Sequence, residues 1–228
     1  MESKADFAKN YSLEIVGSVA SGKTTLAKML SRYSNLQYFN TDLYTSNPFL
    51  KLYPKNRKKW SFITGLQFSY QRSQRIKSLI EILKRRPIVL DQGFDMGLYV
   101  YSKNCFLQGE MIMEEWKLLE KLHGMFMKKL PSIKISILLN IPEAEITKRI
   151  MKRGRTHEKN YLGSYIQQLN NMLLDYKGML YKRNLRETII TYDQLNNNFQ
   201  YLGKKNDKLT FLVKKALNSL NKKYEYSR

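Results

Sequence analysis

The 228-residue chain has one cysteine, two histidines and five prolines. A single thiol, Cys105, excludes an internal disulfide. His123 and His157 stand apart from each other and from Cys105, so no zinc-ligand spacing is present and a buried structural thiol is expected. No apolar stretch is long: the longest, residues 135–141, is far too short to span a membrane. The first residues, Met1 to Phe7, are polar and mixed in charge, without the apolar core of a secretory signal. No internal repeat occurs, and no linker rich in Gly, Ser or Pro. These absences predict a cytoplasmic protein without membrane contact, folded as one domain over residues 1–228. Hydrophobic residues make up 43% of the chain, enough to fill the core of such a domain.

Acidic residues are also scarce, 19 Asp plus Glu against 40 Lys plus Arg, for a formal net charge of +21. Such an excess attracts polyanions: nucleotides, nucleic acid or an anionic surface. The lysines are scattered, as at Lys58-Lys59, Lys128-Lys129, Lys204-Lys205 and Lys222-Lys223, and form no helical stripe. No zinc-finger, RNP or basic-zipper pattern accompanies them. Any nucleic-acid binding is therefore expected to be weak and steeply salt-dependent.

What is present is most specific at Gly17-Ser18-Val19-Ala20-Ser21-Gly22-Lys23-Thr24, which fits G-x-x-x-x-G-K-[ST]. It follows an apolar run, Leu13 to Val16, and precedes a helical pattern, the context that a phosphate-binding loop requires. Gly17 and Gly22 let backbone N–H groups turn around a polyphosphate at the positive end of the next helix. Lys23 is placed to reach the β- and γ-phosphates, and the Thr24 hydroxyl to ligate Mg²⁺. The expected ligands are thus ATP, or another nucleoside triphosphate, and Mg²⁺.

Short apolar runs alternate with helical patterns, which predicts an α/β, three-layer P-loop fold: a five-stranded parallel sheet with helices on both faces. The strands are expected at Ser12–Val16, Leu36–Phe39, Ile88–Asp91, Lys134–Asn140 and Thr188–Tyr192. The helices are expected at Thr24–Tyr33, Trp60–Arg85, Glu110–Lys129, Glu143–Arg153, Ser164–Tyr181 and Asp207–Lys222. Residues 55–59 and 153–161 read as exposed basic connections. Ligands of such sheets sit beyond the carboxyl ends of the strands. Asp42 and Asp91 fall there, and Asp91 after Pro87-Ile-Val-Leu90 has the place of a Walker B acid that holds Mg²⁺.

The acceptor side carries a family resemblance. Asp42, then Asn47-Pro48-Phe49-Leu50, Tyr53, Lys59-Trp60-Ser61-Phe62 and Arg72 resemble the deoxynucleoside kinase family. Arg149-Ile-Met-Lys-Arg153-Gly-Arg155-Thr-His-Glu158 is similar to that family's lid, R-x-x-x-R-G-R-x-x-E. The likeness runs from about Leu13 to Tyr181. It implies transfer of the γ-phosphoryl group to the 5′-hydroxyl of a deoxynucleoside, a small-molecule acceptor. By the same resemblance Asp42 stands at the general base, and Tyr53 and Glu158 at the residues that hold the sugar 3′-hydroxyl. Arg149, Arg153 and Arg155 stand at the lid arginines that close over the transferring phosphoryl group. Arg72 stands in the base-reading set, and the protein is expected to be a homodimer.

Three departures accompany the likeness. Asp91-Gln92-Gly93 replaces the family's Asp-Arg-Ser. Gly65 falls at its base-reading glutamine, with Gln67 and Gln71 nearby. Gly97 falls at an acidic residue that helps read the base, with Asp95 two places away. Aromatic residues Phe62, Phe68 and Tyr70 at helical spacing read as core. Two other readings stay open on these residues. One is a P-loop kinase for another hydroxyl, including a nucleic-acid 5′ end. The other is a catalytically impaired nucleotide-binding module that binds nucleic acid or a partner.

Overall fold

A computed structural model describes residues 12–33, 36–41, 44–130, 133–155, 158, 163–182 and 189–193. Five strands, β1 (Ser12–Val16), β2 (Gln37–Phe39), β3 (Ile88–Leu90), β4 (Ile133–Asn140) and β5 (Ile189–Asp193), form one sheet in the order β2-β3-β1-β4-β5. Every pairing is parallel, with Leu13 opposite Val89 on one side and Ile135 on the other. All five residues of β1 are buried. Ser12 and Glu14 are buried with Leu13, Ile15 and Val16, so both faces of this central strand lie inside the protein.

Seven helices accompany the sheet among the described residues: α1 (Lys23–Tyr33), α2 (Arg57–Leu83), α3 (Phe94–Met96), α4 (Lys103–Leu107), α5 (Met113–Met127), α6 (Glu143–Arg153) and α7 (Ser164–Lys182). Leu26, Ala27 and Leu30 of α1 pack with Leu13, Ile15, Ile135 and Ile137. Val16 and Leu138 pack in a separate cluster with Leu119 of α5, Ile146 and Ile150 of α6, and Ile166, Leu169 and Tyr176 of α7. A third cluster joins Phe39, Ile88 and Leu90 to Ile76, Leu79 and Leu83 of α2. Each of these side chains contributes roughly 1.5–3 kcal/mol by leaving water. Among the described residues no helix is long and apolar enough to cross a membrane.

The five expected strands form with ends shifted by a residue or so, and α6 has the expected bounds. Three differences have local causes. Residues 57–59 are helix and not connection, because the Asn56 side chain accepts from the Lys59 amide and starts α2 early. Helix α5 starts at Met113 and not at Glu110, because the Glu115 carboxylate accepts from the Ile112 amide and caps the helix there. Residues 94–107, which carry no clear period, form α3, a π-helical stretch Gly97–Ser102 and α4 without a break. The expected helix 207–222 lies outside the described residues.

Two backbone features place the site. The Gly17–Thr24 loop connects β1 to α1 at the carboxyl end of the central strand. Gly154, left-handed at φ +67°, ends α6 and turns the chain toward Arg155 and Glu158.

Candidate active site

In the Gly17–Thr24 loop, Ala20 (φ 55°) and Gly22 (φ 91°) are left-handed, which turns successive amides inward. Lys23 Nζ donates to the carbonyl oxygens of Gly17 (3.0 Å) and Ser18 (2.8 Å), so the ammonium lies along the rim of its own loop. A Cβ on Gly17 would stand 2.5 Å from Ser21 Oγ, so the loop closes this tightly only with glycine there. The Ser18 and Ser21 hydroxyls are buried and have no hydrogen-bond partner among the described residues. Inward amides, an ammonium and two unpaired hydroxyls fit a polyphosphate.

Asp91, buried at the end of β3, meets this loop. Its Oδ1 accepts from Thr24 Oγ1 at 3.1 Å, and its Oδ2 accepts from Tyr38 OH at 3.0 Å. A hydroxyl beside a carboxylate is the all-oxygen donor set that Mg²⁺ takes next to a triphosphate. Sequence reasoning missed Tyr38. Strand β2 pairs with β3 in register, Tyr38 opposite Val89, and so carries this hydroxyl to Asp91.

Beyond the loop lies a pocket of about 900 Å³, its mouth included. Its walls bring together Val19 of the loop, Tyr53 before α2, Arg72 on α2, Gln92 after β3, and Arg155 and Glu158 of the lid. The Asn47–Leu50 segment is docked on α2: Asn47 Nδ2 donates to the Thr64 carbonyl at 3.1 Å, and Phe49 stacks on Trp60 at 5.9 Å. That docking sets Leu50 and Tyr53 into the pocket wall. Phe68 also lines the pocket, and Tyr70 is exposed, so the expectation that both are core is corrected. Phe62 does pack on the core.

The lid is organised around Glu158, which is 3% exposed. Arg153 donates to its Oε2 through Nε and Nη2, and Arg155 Nη1 donates to its Oε1 at 3.1 Å. The Arg155 guanidinium carbon also lies 4.0 Å from the centre of the Tyr44 ring, and its Nη2 donates to the Tyr44 hydroxyl at 2.6 Å. Arg149, one turn back on α6, donates to Glu145 at 2.8 Å. Of the three arginines, only Arg155 lines the pocket. Asp42 lies outside the described residues.

Residues 13–218 match the deoxynucleoside kinase family model. The chain belongs to the deoxynucleoside kinase family. It is similar to a deoxyguanosine kinase of Bacillus subtilis (strain 168), 26% identical over 194 residues that cover 82% of this chain and 88% of that protein. It is also similar to a deoxyguanosine kinase of Lactobacillus johnsonii, 28% identical over 173 residues that cover 73% and 75%. Among solved structures, a deoxyadenosine kinase from M. mycoides, with dCMP and dCDP bound as products, superposes with TM-score 0.70. That likeness, at 21% identity over 91% of this chain and 99% of the other, concerns the fold. The protein is thus a nucleoside triphosphate-using phosphotransferase that acts on an alcohol acceptor, the nucleoside 5′-hydroxyl.

Against the deoxynucleoside kinase pattern, the three glycine departures have packing counterparts. A Cβ on Gly93 would fall 1.6 Å from Glu14 Oε2. Glu14 is a buried carboxylate of β1 that accepts from Ser136 Oγ at 2.7 Å, and it fills the space a serine at position 93 would need. A Cβ on Gly97 would fall 1.6 Å from Arg72 Nη1, so the missing side chain seats the Arg72 guanidinium. Asp95 turns away and pairs with buried His123 at 2.6 Å. A Cβ on Gly65 would stand 3.1 Å from Ser102 Oγ and 3.2 Å from Leu119, where α2 meets its neighbours closely. Gln71 does not replace the lost glutamine, since it donates to the Ser46 carbonyl at 2.9 Å. The polar groups left on this wall include Arg72, Gln92, Ser102 and Thr64. Thr64 Oγ1 is buried without a hydrogen-bond partner among the described residues. Sequence reasoning missed Thr64, because a helical threonine carries no motif.

Proposed function

We propose that this protein phosphorylates the 5′-hydroxyl of a deoxynucleoside with ATP and Mg²⁺, and that the pocket walled by Val19, Tyr53, Arg72, Gln92, Arg155 and Glu158 holds the acceptor. The observation that carries this reading is the meeting of triphosphate-loop, acceptor-segment and lid residues on one cavity.

The loop Gly17, Ser18, Val19, Ala20, Ser21, Gly22, Lys23 and Thr24 binds the triphosphate. Lys23 exchanges its two carbonyl contacts for β- and γ-phosphate oxygens. Thr24 and Asp91 hold Mg²⁺, which supplies charge neutralisation at those oxygens when bound. Asp42 accepts the proton of the 5′-hydroxyl as general base. Tyr53 and Glu158 orient the sugar, and Arg72 meets the base. Arg155, and behind it Arg153 and Arg149, bring guanidinium donors over the transferring group, where planar forks match phosphate oxygens. Most of the rate gain in such a reaction comes from positioning and charge stabilisation. We place the whole chain in one domain and expect a homodimer of the cytoplasm.

The experiment is a screen of the four deoxynucleosides, the ribonucleosides and a 5′-hydroxyl oligonucleotide for ATP- and Mg²⁺-dependent phosphorylation. It runs with wild type, Lys23→Ala and Asp42→Asn. A deoxynucleoside 5′-monophosphate made by wild type, absent in Lys23→Ala and about 10²-fold slower or more in Asp42→Asn, supports the reading. Exclusive labelling of the oligonucleotide moves the acceptor to a nucleic-acid end. No labelling of any acceptor, with ATP still bound, identifies a binding module.

A further inference from the structure

The Tyr53 hydroxyl is held from behind by the carboxylate of Glu110, which lies outside the motifs described above. Glu110 lies between α4 and α5 and is 8% exposed. Its main chain is fixed twice: the amide donates to the Cys105 carbonyl at 2.9 Å, and the carbonyl accepts from Ser61 Oγ. Its side chain is fixed twice as well. Oε1 faces Arg57 Nη1 at 3.4 Å, and Oε2 accepts from Tyr53 OH at 2.8 Å. Tyr53, Ser61 and Cys105 line the pocket and Glu110 does not.

Counting protons fixes the polarity of this wall. A phenol has one O–H donor, and a carboxylate paired with arginine only accepts. The Tyr53 proton is therefore committed to Glu110. Cys105 Sγ lies 3.5 Å from the same hydroxyl. Burial pushes the Cys105 thiol up to about 12 and raises the Tyr53 phenol as well, so both stay protonated at neutral pH. What remains on Tyr53 Oη for a ligand is acceptor capacity. Glu158 on the same pocket is also an acceptor, with its two oxygens already met by Arg153 and Arg155.

We infer that Glu110 is a positioning residue that fixes the Tyr53 hydroxyl as a hydrogen-bond acceptor and thereby selects nucleosides that present a donor at the sugar 3′ position. The inference rests on the nucleoside reading of the pocket. A ligand without a donor there leaves a buried acceptor unpaired, a loss of about 1–3 kcal/mol, or roughly tenfold to a hundredfold.

The test compares a deoxynucleoside with its 3′-amino and 3′-fluoro analogues, which offer two donors and none. For each, kcat/KM and equilibrium binding are measured on wild type, Glu110→Gln and Tyr53→Phe. Wild type should prefer hydroxyl over fluoro by about tenfold or more and keep the amino analogue close to the hydroxyl. In Glu110→Gln the amide oxygen stays with Arg57, which only donates, and the amide NH₂ faces Tyr53 and donates to it. The phenol proton then turns to the pocket, and the hydroxyl-to-fluoro ratio should fall at least fivefold. Tyr53→Phe should lower the same ratio at least as far, to the part that the Glu158 carboxylate supplies.

A Glu110→Gln protein that keeps the wild-type ratio while Tyr53→Phe lowers it overturns the inference. If Glu110→Gln does not fold, the series on wild type still decides: a fluoro analogue equal to or better than the amino analogue overturns the inference. Binding without phosphorylation overturns the kinase reading alone, because the ratios are then read from affinity.

Discussion

The Arg155 guanidinium carbon lies 4.0 Å from the centre of the Tyr44 ring, and its Nη2 donates to the Tyr44 hydroxyl at 2.6 Å. One contact thus ties the lid after α6 to the segment that follows position 42. A guanidinium spreads five N–H donors over a rigid fork, so Arg155 meets the Tyr44 hydroxyl and the Glu158 carboxylate together. Arg155→Lys should therefore lower kcat at least tenfold with KM changed by less than about threefold, since the planar fork is needed most in the transition state. Tyr44→Phe, which keeps the ring and loses the hydroxyl, should show a smaller loss in the same direction. Steady-state kinetics on the two proteins checks both, and a rise in KM alone for Arg155→Lys would assign the arginine to ground-state binding.

Asp91 divides its two oxygens between Thr24 and Tyr38. Asp91→Asn should raise the Mg²⁺ concentration needed for half-maximal triphosphate binding by tenfold or more, because an amide oxygen is a poorer ligand for a hard cation. Tyr38→Phe leaves the carboxylate in place but removes its restraint. A shift of about tenfold is the low end for a lost partner of a metal ligand. Titration of Mg²⁺ against binding of a fluorescent ATP analogue measures both without reference to turnover.

Thr64 offers a buried hydroxyl to the acceptor pocket. Replacing a hydroxyl that lacks a partner by an isosteric apolar group should be neutral for the free protein or stabilising by up to about 1 kcal/mol. Thr64→Val should therefore not lower the melting temperature. If the hydroxyl meets the nucleoside, KM for the acceptor should rise about fivefold or more, on the same hydrogen-bond scale. Thermal melting and acceptor KM together separate a ligand contact from a packing role.

Cys105 gives a pH signature. Its thiol is raised from an ordinary value of 9.0 to about 12, first by burial and then by the charge of Glu110. The folded state thus holds this proton more tightly than the unfolded chain. The associated stability is fully present below pH 9 and is lost as pH rises from about 9 to about 12. Over that window wild type should lose about 1.4 kcal/mol per pH unit more than Cys105→Ser, whose hydroxyl does not titrate. Denaturant unfolding of the two proteins between pH 8.5 and pH 10.5, about half of that window, measures the difference.

The donor side and the architecture were legible in the amino-acid sequence alone. Glycines at 17 and 22, Lys23 and Thr24 are required by local backbone geometry and short-range chemistry, so their spacing is readable without a fold. The strands are readable for the same reason, because short runs rich in Ile, Val and Leu stand out from the helical patterns on either side without any long-range contact. The acceptor side was legible only as a likeness of motifs, since its contacts join residues far apart in the chain. Packing across the chain is what makes Tyr38 and Thr24 share Asp91, Glu158 gather Arg153 and Arg155, and Glu110 accept from the Tyr53 hydroxyl. It also decided what the glycines mean. Gly97 seats Arg72, Gly93 clears Glu14, and Gly65 lets α2 approach Ser102 and Leu119. A missing side chain has no pattern in a sequence. Its reason is the atom that occupies the space, and that atom is set by packing across the core.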